Sequence, residues 1–569
     1  MTKSAIDTPA TNLAPKSEGS ASSSGGKETE KQEQGVSKQI DDKQDVQDVT
    51  LEKGVDAAGE SSEDGGNYLP MGPRLYMITL SLMLGVFCVA LDNNIIAVAI
   101  PRITDEFHAL NDVGWYGSAY LLPGCGFQLL FGKFYSLFSV KCVYLSGLLL
   151  FEIGTVICGA APNSIALIVG RAIAGVGSSG LFTGAMLTIA HTVPLAKRPA
   201  FMGIVGGVYG IASVVGPLIG GAFTDHVTWR WCFFINLPFG GITTAGVLFF
   251  LNLKEKPVAA QEPWTVILRK LDPIGSLLFV PAIICLLLAL QWGGVTYEWS
   301  NGRVIALLVV FVIALLAFIV LQLFIGDDAT VPARIASQRS MAFASLFSFC
   351  LGASFFIVTY YIPIWFQAIK GKKPVVSGID FLPFILPEIV GVILSGGLVS
   401  AFGYTNPFFI ASSIMMSIAA GLCTLFTVET SQAAWAGYQF LWGIGIGIGF
   451  QQGTVTASTV LAYNDIAVGT AMVLFANLFG GAVFVAVAQN LFASHLIDKL
   501  LALDLPGVDP QVILHAGATN LRTVVGPENL ARVLVEYNDA IVQTFRLGMI
   551  MSCISIIGAI GVEWKSVKK

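Results

Sequence analysis

Polar and apolar positions separate into long blocks along this 569-residue chain. Residues 1–73 are rich in Ser, Gly, Glu, Lys, Gln and Asp. From Leu75 to Gly561 the sequence then runs through fourteen apolar stretches, most of them joined by short polar turns. About 20 apolar residues wound as an α-helix cross a hydrocarbon core of about 30 Å. The pattern therefore predicts an all-α membrane protein of fourteen transmembrane helices, the first over 75–98 and the last over 539–561. The seventh and eighth stretches, 274–292 and 304–326, contain no charged residue and are counted as spanning. Were they to lie on the membrane surface, the number would be twelve.

Composition agrees and narrows the function classes. The chain is 54% hydrophobic and 12% charged, against about 25% charged in a soluble chain. The net charge of −5 belongs to the tail: residues 1–73 carry 14 acidic and 7 basic residues, leaving 25 basic against 23 acidic elsewhere. Such a tail cannot bury enough apolar surface to offset its chain entropy, so 1–73 is expected as a disordered cytoplasmic tail. It lacks the apolar core of a signal peptide. The nine cysteines are scattered through or beside the apolar runs, and the five histidines never reach metal-ligand spacing. No phosphate-binding Gly-x-x-x-x-Gly-Lys-Ser/Thr loop is present. No cofactor, metal, nucleic acid or obligate protein partner is expected, and the chain is not read as an enzyme. What remains as partners are the lipid bilayer, a small-molecule substrate and protons.

Lys and Arg favour cytoplasmic segments. With both termini cytoplasmic, inner segments hold Arg74, Lys133, Lys141, Lys197, Arg198, Lys254, Lys256, Arg269, Lys270, Arg334 and Arg339. Outer segments hold Arg102, Arg230, Arg303 and a cluster, Lys370, Lys372 and Lys373, that runs against the rule. Residues 493–538 then form an extracellular loop, either plain surface chain or short helices over the outer mouth.

Glycines point to a duplication. Gly170–Gly177 in the fourth run resembles Gly443–Gly449 in the twelfth. Gly216, Gly220 and Gly221 in the fifth resemble Gly480 and Gly481 in the thirteenth. An offset of eight runs predicts two six-helix bundles, 74–253 and 339–563, separated by a linker, 254–338, with two inserted linking helices. Residues 564–569 form a short cytoplasmic tail. Small residues also serve close packing in any membrane bundle.

Four stretches carry a family resemblance. Leu91-Asp92-Asn93-Asn94-Ile95-Ile96-Ala97-Val98-Ala99-Ile100-Pro101 places a carboxylate in span one. Gly170-Arg171-Ala172-Ile173-Ala174-Gly175-Val176-Gly177 places an arginine in span four. Gly203, followed by Ala212-Ser213-Val214-Val215-Gly216-Pro217-Leu218-Ile219-Gly220-Gly221, joins a kinking proline to close-packing glycines in span five. Trp229-Arg230-Trp231-Cys232-Phe233-Phe234-Ile235-Asn236-Leu237-Pro238-Phe239-Gly240 opens span six as an interfacial aromatic belt with an arginine anchor. Over residues 70–565 the chain resembles the fourteen-spanner drug:proton antiporters of the major facilitator superfamily. Within them it is similar to fungal efflux pumps for toxins and other secondary metabolites. The resemblance implies the major facilitator fold and proton-driven export of amphipathic organic compounds. It also implies a part for Arg171 in proton coupling, and an antiporter motif of Gly203, Gly216, Pro217, Gly220 and Gly221. It suggests the plasma membrane, with a vacuolar or vesicle membrane as alternative. Ala212 stands where the family has Gly. Ser136 stands where the loop Gly132–Lys141 has Asp in the superfamily, which puts a charge latch there in doubt.

The remaining candidates come from polarity at membrane depth. Asp92 is placed near the outer end of span one, and Arg171 about 9 Å deep at 1.5 Å per residue. They either pair or both face a cavity, and an Asp in headgroup water is the other reading. Glu152 in span three and Glu388 in span ten fall near the midplane, as proton-relay candidates or as packed neutral acids. A polyspecific pocket needs apolar and aromatic walls with few polar groups. Gln367, Gln451, Gln452, Asn477, Gln489, Tyr360, Tyr361, Phe366 and Phe475 are its candidates, with core or lipid-facing positions the alternative for the aromatics. A proton-coupled importer on the same fold, such as a siderophore or nutrient carrier, is the rival function. A membrane enzyme or sensor would need clustered His, Cys or acidic residues at one membrane face, which the sequence lacks.

Overall fold

A computed structural model describes residues 69–568 apart from 110–111, 254–256, 295 and 504–508. The expectation of disorder thus falls, for 1–68, outside the described residues, as do Lys254 and Lys256. The long helices are α1 Pro73–Phe107, α2 Val113–Leu137, α3 Val140–Gly159, α4 Ser164–Thr192 and α5 Arg198–His226. They continue with α6 (Trp231–Phe234, then Asn236–Phe250), α7 Pro273–Trp292, α8 Gly302–Ile325, α9 Arg339–Ala368 and α10 Leu382–Phe402. The last four are α11 Asn406–Cys423, α12 (Gln432–Phe450, then Gln452–Val460), α13 Ile466–Leu503 and α14 Pro527–Gly561.

Twelve of these are long and apolar enough to cross a membrane. The other two, α2 and α12, have the length but carry more Gly, Gln and Tyr. Both pack inside the bundle, where a polar wall needs no lipid. The linking helix α8 is the opposite case: Phe324 is 85% exposed and Leu323 68%. An apolar helix with so much bare surface belongs in lipid, not on a wet face.

Three helices run past their expected ends. α1 continues through Pro101 to Phe107, so Asp92 lies in its middle rather than near its outer end. α13 and α14 extend into the stretch expected as a loop, and Pro510–Val524 between them is helical. The extensions are held by burial: Leu496, Leu500, Ile513, Leu521, Val533 and Tyr537 join one apolar core with α9–α11. The out-of-rule Lys370 also has a structural post. Its Nζ donates to the carbonyls of Val428 and Thr430 at 2.7 and 2.9 Å.

The glycine repeat is legible in the packing. Gly175 of α4 meets Tyr120 of α2, while Gly170 and Gly177 meet Cys158 and Phe151 of α3. Eight helices on, Gly443 and Gly447 of α12 meet Phe384 and Glu388 of α10, while Gly445 and Gly449 meet Met416 and Ser412 of α11. A Cβ at Gly175 would fall 2.2 Å from the Tyr120 carbonyl oxygen, and one at Gly443 2.0 Å from that of Phe384. Only glycine admits such contact between backbones.

Helices α1–α6 pack on one another, as do α9–α14. The two sets meet where α5 lies on α10 and α2 lies on α13; α7 packs against α2 and α13. The Leu69 amide donates to Thr192 O at 3.1 Å, the Ala200 amide to Ser400 Oγ at 3.2 Å, and the Val567 amide to Gly403 O at 2.8 Å. Both ends of the described chain therefore lie at one end of the bundle, the termini end. There the sets close on each other. Arg198 Nη1 donates to Ser458 O at 3.0 Å, and the His191 ring stacks on Tyr463 with centroids 4.2 Å apart. Gly132 faces Ala471, and Gly203 faces Val392 and Gly396. Ser136 does not act as an ionic latch: its hydroxyl donates to Lys133 O, and Lys133 Nζ donates to Asp328 O. Among the ion pairs of this end, Arg334 meets Asp465 at 2.5 Å and Asp327 at 2.9 Å, and Arg269 meets Asp328 at 3.5 Å.

Candidate functional site

Helix α4 begins where the Asn163 side chain accepts from the Ala166 amide. Its second turn carries Arg171, flanked by the glycines that bring α2 and α3 close. The side chain is fully buried. Its Nη1 donates to Asp92 Oδ2 at 2.5 Å and its Nε to Tyr116 O at 2.9 Å. The guanidinium carbon lies 4.3 Å from the centre of the Tyr120 ring. Asn236 Nδ2 of α6 donates to the other Asp92 oxygen at 3.4 Å. Arg171 Nη2 is buried with no hydrogen-bond partner among the described residues. The carboxylate is 1% exposed, which removes the readings in headgroup water or facing a cavity. Two ions so far from water persist only because they hold each other.

Glu152 and Glu388 do not join this pair. Glu152 Oε1 lies unpartnered against Gly240 of α6, and its Oε2 accepts from Thr155 at 3.4 Å. Glu388 on α10 is buried.

Beside the pair lies a cavity between the two helix sets. Val89, Asn93, Tyr120, Gln128, Ser178 and Tyr209 line it from the first set of helices, and Ser348, Phe355, Phe356, Phe450 and Asn477 from the second. Among the described residues, no charged side chain is in its wall. Asn93 Nδ2 donates to Tyr209 Oη at 3.4 Å, and Gln128 Nε2 donates to Thr183 Oγ1.

Of the pocket candidates read from the sequence, Asn477 is in this wall. The others lie elsewhere. Tyr360 is 49% exposed on the outside of α9, while Tyr361 and Phe366 are in the core of the second helix set. Phe475 packs on Phe279 of linking helix α7 at 5.3 Å. Gln451 is buried with Nε2 aimed at Gly206 of α5, and Gln452 Nε2 donates to Ile448 O at 2.8 Å. Gln367 and Gln489 are half-buried away from the cavity wall. The difference has one cause. Residue type does not tell which face of a helix looks inward, and apolar flanks on all sides leave no amphipathic phase to read. Gln128 did carry a signal, as an amide inside an otherwise apolar run, and Asn93 stands in the polar triplet Asp92-Asn93-Asn94.

The span-five motif has two faces. Gly203 meets Val392 and Gly396 of α10 in the opposite set, whereas Gly216 and Gly220 meet Asn94 and Ile95 of α1 in their own. A Cβ at Gly221 would meet Val98 Cγ1 at no closer than 3.8 Å, and Pro217 lies inside α5 without ending it. The span-six stretch is less an interfacial belt than a brace. Trp229 is 4% exposed and donates to Glu106 Oε2 at 2.6 Å, and Arg230 Nη1 pairs with Glu106 at 2.9 Å. The indole bond, with the guanidinium beside it, holds the Glu106 carboxyl below the usual carboxylate range.

The model of the Major Facilitator Superfamily matches residues 82–487. The chain belongs to the Major Facilitator Superfamily. It is 56% identical over 516 residues to the efflux pump aflT of Aspergillus parasiticus, a match covering 90% of this chain and 99% of that one. It is 53% identical over 508 residues to the MFS-type transporter phomT of Diaporthe leptostromiformis, covering 88% and 85%. Among solved structures, the human organic anion transporter MFSD10 superposes with a TM-score of 0.54 at 12% identity, covering 84% of this chain and all of that one. That likeness speaks for the fold. As a superfamily member with twelve strongly apolar helices, the protein is an integral membrane transporter.

Proposed function

We propose that this protein is a proton-coupled efflux pump for amphipathic organic compounds, of the kind fungi make as secondary metabolites or toxins. The proposal places it in the plasma membrane with both termini cytoplasmic. Residues 74–253 and 339–563 act as the two moving halves, with 254–338 linking them. The observation that carries this reading is the juxtaposition of an uncharged, aromatic-walled cavity with a sealed Asp92–Arg171 pair. The cavity suits an apolar guest with a few hydrogen-bonding groups. The pair supplies a carboxylate that either holds Arg171 or takes a proton. Antiport requires that proton and substrate favour different states, because a ligand with equal affinity for both shifts nothing. Glu152 and Glu388 are secondary relay candidates. The names of similar proteins, an efflux pump among them, support the direction of transport.

The test is reconstitution into vesicles with an imposed pH gradient and a fluorescent hydrophobic substrate. Uphill accumulation that collapses with a protonophore is expected. Accumulation that ignores the protonophore and requires ATP would refute the proposal, and movement with rather than against the proton flow would make the protein an importer.

A further inference from the structure

We propose that Tyr120 is the positioning residue that couples the substrate cavity to the Asp92–Arg171 pair. The inference rests on the proton-coupling reading above and deepens it. Tyr120 is the one wall residue of the cavity, among the described residues, with a ring contact to Arg171. The ring therefore touches both the space a substrate would fill and the guanidinium, 4.3 Å away.

Its placement is built in. Gly175 of α4 lets the Tyr120 backbone approach closely enough that any Cβ there would clash with its carbonyl oxygen at 2.2 Å. The Tyr120 hydroxyl donates to Val89 O, another wall residue, at 3.4 Å. Ring and guanidinium are thus clamped from two helices. Arg171 Nη2 has no hydrogen-bond partner among the described residues, so the π-face of Tyr120 is part of what compensates the buried charge. That share grows when Asp92 takes a proton and stops being a counter-ion. A guest stacked in the cavity that tilts or displaces the ring weakens this compensation. The cation then needs the Asp92 carboxylate, and the proton leaves. Substrate and proton become mutually exclusive without touching.

Other ionisable groups in electrostatic range of the pair are Cys88, Glu152, Cys158 and Cys232. None of them lines the cavity.

The test compares uphill, gradient-driven accumulation with gradient-free exchange of the same neutral fluorescent aromatic probe in vesicles. A desolvated cation–π contact of this type predicts that Tyr120→Leu lowers accumulation about 10-fold more than exchange. Tyr120→Phe, which keeps the ring, should restore most of that ratio. Equal losses of accumulation and exchange in Tyr120→Leu would reduce Tyr120 to a wall contact and overturn the proposal. So would a Phe variant as uncoupled as Leu. If Leu does not fold, Tyr120→Met is read by the same ratio. In the wild-type protein, the probe should release protons in weakly buffered detergent solution, and no release overturns the coupling. Asp92→Asn in parallel separates the two readings. If it retains accumulation, the proton-coupling assignment fails; if it loses accumulation while Tyr120→Leu does not, only the Tyr120 assignment fails.

Discussion

Asp92→Asn is expected to reduce gradient-driven export to background while leaving the protein folded. The amide keeps an oxygen where Arg171 Nη1 now donates at 2.5 Å, so the contact survives as a hydrogen bond from the charged guanidinium to a neutral oxygen, with the Tyr120 ring beside it. What is lost is the negative charge that a proton could cancel. Arg171→Ala is the harsher change for stability. It leaves a fully buried carboxylate without its cation, a loss of about 3–5 kcal/mol for a broken buried pair. Asn236, at 3.4 Å, is the remaining side-chain donor to Asp92. The double variant Asp92→Asn/Arg171→Ala should be more stable than Arg171→Ala alone, because no charge is then stranded. Unfolding midpoints in detergent, read as a double-mutant cycle, check this. Additive stability losses would mean the two residues do not act as a unit. Full export by Asp92→Asn would remove Asp92 from the proton path and leave Glu152 as the better candidate.

Gly203→Val is expected to hold the termini end open and cut turnover at least about 10-fold, since overpacking of about 1–3 kcal/mol moves a two-state equilibrium by one or two decades. A Cβ at residue 203 would fall 2.8 Å from Val392 O and 3.3 Å from Gly396 Cα. Across the contact, one at Gly396 would fall 2.4 Å from Pro199 O. Backbone atoms cannot evade a clash by changing rotamer, so α5 and α10 must separate. Separation also breaks the bond from Arg198 to Ser458 O at 3.0 Å. A cysteine replacing buried Ser458 should therefore react faster with an impermeant maleimide applied from the termini side, in a background lacking exposed Cys142 and Cys553. Gly221→Ala is the control, because its nearest neighbour is Val98 Cγ1 at 3.8 Å. Normal turnover and unchanged reactivity in Gly203→Val would dismiss this contact as the moving one.

Some of this molecule was readable from residues alone. The helices were, because hydropathy adds up locally over about 20 residues and needs no knowledge of neighbours. α7 and α8 are the clearest cases, with no charge from Pro273 to Trp292 and none between Val304 and Ile325. The duplication was readable because close backbone contact admits only glycine, whatever the partner helix. Asp92 and Arg171 were readable because an ion in an apolar run needs a reason to be there.

The rest was decided in three dimensions. Whether Asp92 and Arg171 pair or face water depends on how α1 and α4 are rotated, and no local pattern sets that rotation. The ends of α1, α13 and α14 were misplaced because contacts with other helices, not lipid, hold their polar extensions. The cavity wall was mostly missed for the same reason. Phe355 and Tyr361 both belong to the buried core of the second set, yet Phe355 also lines the cavity and Tyr361 does not. In a chain where lipid, core and pocket are all apolar, composition marks which segments enter the membrane. Only the packing of one helix on another decides which of their side chains meet the substrate.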